Sequence, residues 1–257
     1  MHIILVGCEY SGTSTLSYNI TKWARSTMGG LHWFHDHWKI PHVNHPPYVG
    51  KEATIKEHDE MFEAWVSGSG EDPSELGFTE HEQQLFMALA PRQKEMFQRY
   101  HMEYHVGPEF YTLPDHNIVG MHIDEAVYAE LYYQYGNDKD DINRKFLTKH
   151  IEGEILKQAP HTVLVLLKCD AKVIRHRMQT KPHKHGLLQD KDVEFVLERF
   201  EEEYERSLIT NKFIIDTSKS TPEQCLKEFV SKFEPYITDS DRIRILVNSA
   251  KQNNKWI

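Results

Sequence analysis

A glycine-rich stretch near the start of the sequence has the residue types of a phosphate-binding loop. Residues 7–15 are GCEYSGTST, with two glycines and four serine or threonine side chains. Such glycines let backbone N–H groups surround phosphate oxygens, and a hydroxyl two residues after the second glycine can contact magnesium. The residues predicted to bind nucleotide phosphates are Gly7, Ser11, Gly12, Thr13, Ser14 and Thr15. A glycine turn that only joins a strand to a helix is the structural alternative.

This loop departs from the usual G-x-x-x-x-G-K-[ST] pattern at one position. Thr13 stands where lysine is usual, whereas Ser14 keeps the hydroxyl. That lysine normally neutralises charge on a transferring phosphoryl group, so the charge must come from elsewhere. The acidic chain becomes locally basic over residues 172–184. We predict that Arg175 and Arg177 act catalytically, because a guanidinium binds phosphate bidentately.

Alternating strand and helix patterns place this loop at the edge of a parallel sheet. Apolar runs predict strands at 3–6, 31–36, 117–123, 162–167 and 213–216. Helical patterns between them predict an α/β fold with a five-stranded parallel sheet and helices on both faces. With the glycine loop after the first strand, this arrangement resembles the three-layer P-loop NTPase fold, here with a helical insertion. The predicted divisions are a single domain over 1–238, an insertion at 42–111, a lid at 172–191 and a C-terminal extension of unassigned structure at 239–257.

Acidic residues follow two of the predicted strands. Asp36 ends the second strand, and Asp124 and Glu125 follow the third. Ligands in open α/β sheets bind beyond the carboxyl ends of the strands, close to the first loop. We predict that Asp36 is a general base toward an acceptor hydroxyl, and that Ser14, Asp124 and Glu125 hold magnesium.

An aromatic and basic segment at 80–111 is the predicted acceptor side. Arg92, Arg99 and Tyr100 are the predicted substrate-binding residues, because a flat base stacks on an aromatic ring and arginine can hold a monophosphate. For each side chain, core packing or a solvated helix face is the alternative.

Composition limits the function classes. The 257 residues carry a net charge of −9, which argues against binding to an extended nucleic acid. Three widely spaced cysteines indicate no disulfide framework, and neither a signal peptide nor an apolar run of membrane-spanning length is present. We therefore expect a cytoplasmic protein without a membrane partner, which binds a nucleotide and a small-molecule acceptor; a homodimer is compatible with the sequence.

Four stretches resemble P-loop nucleoside and nucleotide kinases. They are residues 7–15, the acid-plus-tryptophan segment His35-Asp36-His37-Trp38, the acidic segment 124–128, and the run from Leu164 to Tyr204. The resemblance implies that ATP and Mg²⁺ are the cofactors and that a nucleoside or nucleoside monophosphate accepts the phosphoryl group. Besides Thr13, the chain differs at Ala126, where those kinases usually carry arginine.

Two other functions stay open. Ser11-Gly12-Thr13-Ser14 also resembles the Ser-Gly-Thr-Thr loop of sulfotransferases, which use a phosphoadenosine phosphosulfate donor and lack the lysine. The basic residue usual before Ser-Gly is Tyr10 in this chain, and Lys168-Cys169-Asp170 matches the 3′-phosphate site only in part. The third hypothesis is a catalytically weak nucleotide-binding protein, and the missing lysine supports it.

Overall fold

Five short parallel strands form the centre of the molecule. The computed structural model describes residues 1–30, 34–37, 60, 63–64, 79–136, 144–183 and 186–253, with 34–37 described by backbone alone. Within these residues the strand order is β2-β3-β1-β4-β5, and every neighbouring pair is parallel. The strands are β1 His2–Gly7, β2 Phe34–His37, β3 His116–Gly120, β4 Val163–Lys168 and β5 Lys212–Asp216.

The central strand β1 is buried on both faces. Ile3 and Leu5 pack into one hydrophobic cluster, whereas Ile4 and Val6 pack into another on the opposite face. All four side chains are at most 1% exposed. Burying each contributes about 1.5–3 kcal/mol, which explains why an unbroken apolar run, rather than an alternating one, forms this strand.

Helices cover both faces of the sheet. Their bounds are α1 Thr13–Met28, α2 Glu80–Ala88, α3 Pro91–Glu103, α4 His122–Tyr128, α5 Arg144–Gln158, α6 Ala171–Thr180, α7 Val193–Arg206, α8 Pro222–Phe233 and α9 Asp239–Gln252. Helices α1 and α8 pack on the Ile3 face, and α4, α5 and α7 pack on the Ile4 face. The predicted α/β fold, a parallel sheet between two helical layers with the glycine loop after its first strand, is confirmed.

The third strand ends earlier than its apolar pattern predicts. The run 117–123 predicts a strand through Ile123, but β3 ends at Gly120 and α4 begins at His122. Gly120 and Met121 have φ angles of 78° and 63°, which break the extended backbone. Asp124 and Glu125 therefore lie in the first turn of α4, not directly after the strand.

The C-terminal stretch that the sequence pattern leaves unassigned contains a helix. Thr238 caps α9 by accepting a hydrogen bond from the Asp241 N–H. Asn248 on α9 donates to the carbonyls of Ser26 and Thr27, so α9 rests on the end of α1. At α8, Thr221 and Gln224 form a capping box, with Pro222 as the first residue of the helix.

Part of the predicted insertion lies outside the described residues. Residues 42–59, 61–62 and 65–78 are not described, whereas α2, α3 and a short 3₁₀ turn at Phe110–Thr112 are. Among the described residues, no helix is both long and apolar enough to cross a bilayer.

Candidate functional site

The N-terminus of α1 is bare where the glycine loop meets it. Gly12 is the N-cap residue, with a φ of 95° that glycine adopts without strain. In the part of the chain that the structure describes, no side chain caps α1, and its first turn carries no acidic residue. The first amides of a helix have no partner within it and carry partial positive charge. This end of α1 can therefore accept an anion, such as a phosphate group.

Tight packing within the loop explains the other glycine. A Cβ atom on Gly7 would lie 2.7 Å from the Ser11 hydroxyl oxygen and 2.9 Å from the Leu167 carbonyl oxygen. Ser11 closes the turn by donating its N–H to the Cys8 carbonyl at 2.9 Å. The Ser11 side chain is 0% exposed, and its hydroxyl has no hydrogen-bond partner among the described residues. An unpaired buried hydroxyl is uncommon, and an anion that reached beneath the loop would give this one a partner.

Two distant side chains hold the loop carbonyls. The Arg177 guanidinium donates to the Tyr10 carbonyl at 2.8 Å and to the Thr217 carbonyl at 2.9 Å. The Thr217 hydroxyl in turn donates to the Ser11 carbonyl at 2.8 Å. Because a trans peptide points its C=O and N–H in opposite directions, the Gly12 N–H faces away from Thr217. Arg177, predicted as catalytic, thus braces the loop in this conformation.

Glu9 is a loop residue that the sequence analysis did not single out. Its side chain is buried, and one carboxylate oxygen accepts the N–H groups of Leu187 and Leu188 at 3.1 and 2.9 Å. The other oxygen lies 3.1 Å from Nδ1 of His183. These partners are 174 to 179 residues away in the chain, so no local pattern marks the contact.

Arg175, the second predicted catalytic cation, is held by surface carboxylates. Its guanidinium lies 2.9 Å from Asp190 and 2.6 Å from Glu194. The hydrogen bond to Glu194 and the charges of both carboxylates raise the pKa of Arg175 above its usual value. To reach a phosphate, Arg175 would have to exchange these partners, so its catalytic role stays a prediction. Lys184, in the same basic segment, lies outside the described residues.

The two acids on α4 have different surroundings. Both are buried, and Glu125 forms an ion pair of 2.6 Å with Arg144 of α5. Burial raises the pKa of Glu125, and Arg144 opposes that rise. Arg144 also lies 3.3 Å from Glu95 of α3, so the guanidinium joins α3, α4 and α5. Glu125 is therefore engaged by a cation where the sequence predicts a magnesium ligand.

Two of the predicted magnesium ligands, Ser14 and Asp124, carry oxygen atoms at the starts of helices. Ser14 lies in the first turn of α1 and Asp124 in the first turn of α4. Hydroxyl and carboxylate oxygens suit Mg²⁺, which keeps several water ligands and needs few protein ones. Among the described residues, no group of three or more His, Cys, Asp or Glu side chains could hold a metal. The donor types therefore fit a magnesium ion that is held largely by water and substrate phosphates.

The predicted general base lies on the second strand. Asp36 occupies β2 opposite Val119 of β3, one residue before the end of the strand. The backbone of Asp36 thus lies near the carboxyl end of the strand, where the sequence predicts it. Its role as a base stays a prediction, because the strand is described by backbone alone.

The predicted acceptor residues lie together on α3. Arg92 is exposed, Tyr100 is 69% exposed, and Arg99 forms ion pairs with Glu95 at 3.0 Å and Glu103 at 3.4 Å. Glu95 connects Arg99 to the buried Arg144. A substrate role for these three residues stays a prediction.

No family model matches the chain, and no curated protein matches it in sequence. Solved structures that resemble it include the YorR protein from Bacillus subtilis in complex with phosphorylated GDP. That match is 15% identical, covers 92% of this chain and 98% of that chain, and has a TM-score of 0.46. Deoxyadenosine kinase from M. mycoides with dCMP and a flexible dCDP is 15% identical, covers 91% and 99%, and has a TM-score of 0.48. The same enzyme with bound dATP is 15% identical, covers 91% and 100%, and has a TM-score of 0.44.

Proposed function

We propose that the protein binds the phosphates of ATP at the N-terminus of α1 and transfers the terminal phosphoryl group to a small acceptor. A nucleoside or nucleoside monophosphate is the proposed acceptor class. The observation that carries the proposal is the bare, glycine-capped start of α1 beside the unpaired buried hydroxyl of Ser11. The helix terminus offers N–H donors to an anion, and its first turn, Thr13 to Leu16, carries no carboxylate that would repel one.

The chemistry needs positive charge at the phosphates, since phosphoryl transfer is catalysed mainly by positioning and charge stabilisation. The helix terminus supplies the equivalent of about half an elementary charge. A bound magnesium ion would supply further charge, with Ser14 and Asp124 as the proposed protein oxygens. Asp36 is the proposed base that takes the acceptor's proton.

A specific observation favours a second candidate, a nucleotide-binding protein with slow turnover. Three of the cations that could replace the missing lysine have other partners: Arg177 holds two carbonyls, Arg175 holds two carboxylates, and Lys22 lies 2.5 Å from Glu63. Each would have to give up these contacts to reach the loop. Binding without efficient transfer is therefore compatible with this arrangement.

A thermal-shift screen tests binding first. ATP with magnesium at about 100 times its Kd should stabilise the fold by about 2.7 kcal/mol, because it binds only the native state. For a chain of this size, that raises the Tm by roughly 5–11 °C. Nucleosides and nucleoside monophosphates are added in parallel. A shift with phosphoadenosine phosphosulfate alone would refute the kinase proposal in favour of a sulfotransferase.

A turnover assay separates the two nucleotide-binding candidates. ATP consumption in the presence of the stabilising acceptor supports the kinase, whereas binding without consumption supports the slow nucleotide binder. Thr13→Lys restores the usual loop residue and is expected to raise turnover if charge at the loop is what limits the rate. Asp36→Asn should lower turnover and leave ATP binding nearly intact. Normal turnover in that variant would exclude Asp36 as the base.

A further inference from the structure

We propose that Glu9 is a positioning residue that fastens the lid tip, defined as His183 and residues 186–188, onto the phosphate loop. When the lid tip separates from Glu9, a nucleotide could enter or leave the phosphate loop. The part concerning nucleotide exchange rests on the function proposed above, whereas the fastening itself does not. Both parts can be measured separately.

The Glu9 carboxylate is a buried charge whose described donors belong to the lid tip. The side chain is 1% exposed, and its two oxygens face the amides of Leu187 and Leu188 and the ring of His183. A buried carboxylate is costly unless donors surround it, and amide-to-carboxylate bonds are stronger than neutral ones. Separating the lid tip from the loop would therefore remove these three donors from a buried charge.

Close packing between the loop and the lid tip makes a second contact. The ring of Tyr10 stacks on that of His183 with 4.0 Å between centroids, and the Tyr10 hydroxyl accepts the His183 N–H at 3.0 Å. A Cβ atom on Gly186 would lie 3.1 Å from both the Glu9 carboxylate and the Tyr10 hydroxyl. Glycine at 186 thus allows the lid backbone to approach the loop this closely.

The loop is the fixed side of this contact. Arg177 and Thr217 hold the carbonyls of Tyr10 and Ser11, and the Glu9 N–H donates to the buried Tyr128 hydroxyl at 2.9 Å. The phosphate loop is thus anchored to α4, α6 and the end of β5. Breaking the Glu9 contacts would loosen the lid tip and leave these anchors in place.

Hydrogen exchange at single amides tests the fastening without any ligand. In Glu9→Ala we expect the amides of Leu187 and Leu188 to exchange at least about tenfold faster, because they lose a charged acceptor. Glu152→Ala is the matched control, because Glu152 is also a buried carboxylate that pairs with a histidine and a backbone amide. Its partners are His122 and the Leu208 N–H, which donates a hydrogen bond of 2.6 Å. That control should accelerate Leu208 exchange and leave residues 187 and 188 unchanged. Equal exchange at Leu187 and Leu188 in Glu9→Ala and wild type would overturn the proposal.

A second variant guards against a Glu9→Ala protein that fails to fold. Gly186→Ala adds a methyl group at the contact and should also accelerate exchange at Leu187 and Leu188. Gly153→Ala is its control, because a Cβ atom there has no neighbour within 4 Å. Unchanged exchange in Gly186→Ala would count against the close fit that the proposal requires.

Stopped-flow release of ATP with magnesium tests the functional part. Release should be about tenfold faster from Glu9→Ala than from wild type, while Glu152→Ala releases at the wild-type rate. Faster amide exchange with unchanged ATP release would overturn the role of Glu9 in nucleotide exchange. Faster amide exchange in a protein that binds no ATP would support the fastening and refute the proposed function.

Discussion

Replacing Arg177 with alanine should destabilise the protein by loosening the phosphate loop. The guanidinium makes two hydrogen bonds to carbonyls, at 2.8 and 2.9 Å, that join the loop to the end of β5. A hydrogen bond to a charged group contributes about 1.5–3 kcal/mol, so together they contribute at most about 6 kcal/mol. Arg177 is half-buried and water can replace part of the loss, so we expect a cost of roughly 2–4 kcal/mol. For a chain of this length, the Tm should fall by roughly 4–16 °C.

Chemical denaturation of the Arg177→Ala variant measures this cost. Arg175→Ala is the matched control from the same helix, because its ion pairs are on the surface and contribute little. Arg177→Lys keeps the charge but lacks the planar guanidinium that contacts both carbonyls. Its free energy of unfolding should therefore lie between those of wild type and Arg177→Ala. If Arg177→Ala unfolds with the same free energy as Arg175→Ala, the bracing role is wrong. Lost turnover with unchanged stability would instead support the catalytic role predicted from the sequence.

Lowering the pH from 7 to 4 should destabilise the fold. Burial lowers the pKa of His2 and of His116 to about 4, so the neutral rings favour folding above pH 6.5 and this contribution is lost as the pH falls toward 4. Chemical denaturation at pH 7 and pH 4 measures how far the free energy of unfolding falls between them. In His116→Phe this fall should be smaller than in wild type by roughly 2–3 kcal/mol. An equal fall in both proteins would contradict this prediction. Thr221→Ala should cost about 1 kcal/mol in thermal unfolding, because α8 loses its cap, whereas an unchanged Tm would exclude that contribution.

Local patterns predict the framework because burial on both faces leaves a clear signal. The runs predicted at 3–6, 162–167 and 213–216 lie within a residue of β1, β4 and β5. The boundary between β3 and α4 gives no such signal, because Met121 and Ile123 continue the apolar pattern through a break that only the φ angles reveal. This misplaced boundary also put Asp124 and Glu125 on the wrong element.

Long-range partners explain why the candidate site was only partly predictable. Glycine spacing marks the loop, and the structure places it at a bare helix N-terminus, as expected. The same sequence does not reveal that Arg177 contacts a carbonyl 167 residues away, or that Arg144 pairs with Glu125. In the sequence, an arginine that binds phosphate cannot be told from one that binds a backbone carbonyl. A basic segment therefore shows that positive charge is present, but it does not show which group each cation contacts.

Titration calorimetry with ATP and magnesium on Gly12→Val tests whether ATP binds at the N-terminus of α1. Gly30→Val is the matched control just beyond the other end of α1, since both glycines have positive φ, 95° and 87°, and a Cβ atom on either would have no described neighbour closer than 3.9 Å. Both variants carry the same type of backbone strain, so any difference in binding reflects the loop. We expect Gly30→Val to bind ATP like wild type and Gly12→Val not to bind it. Unchanged ATP affinity in a folded Gly12→Val protein would show that the nucleotide site lies elsewhere.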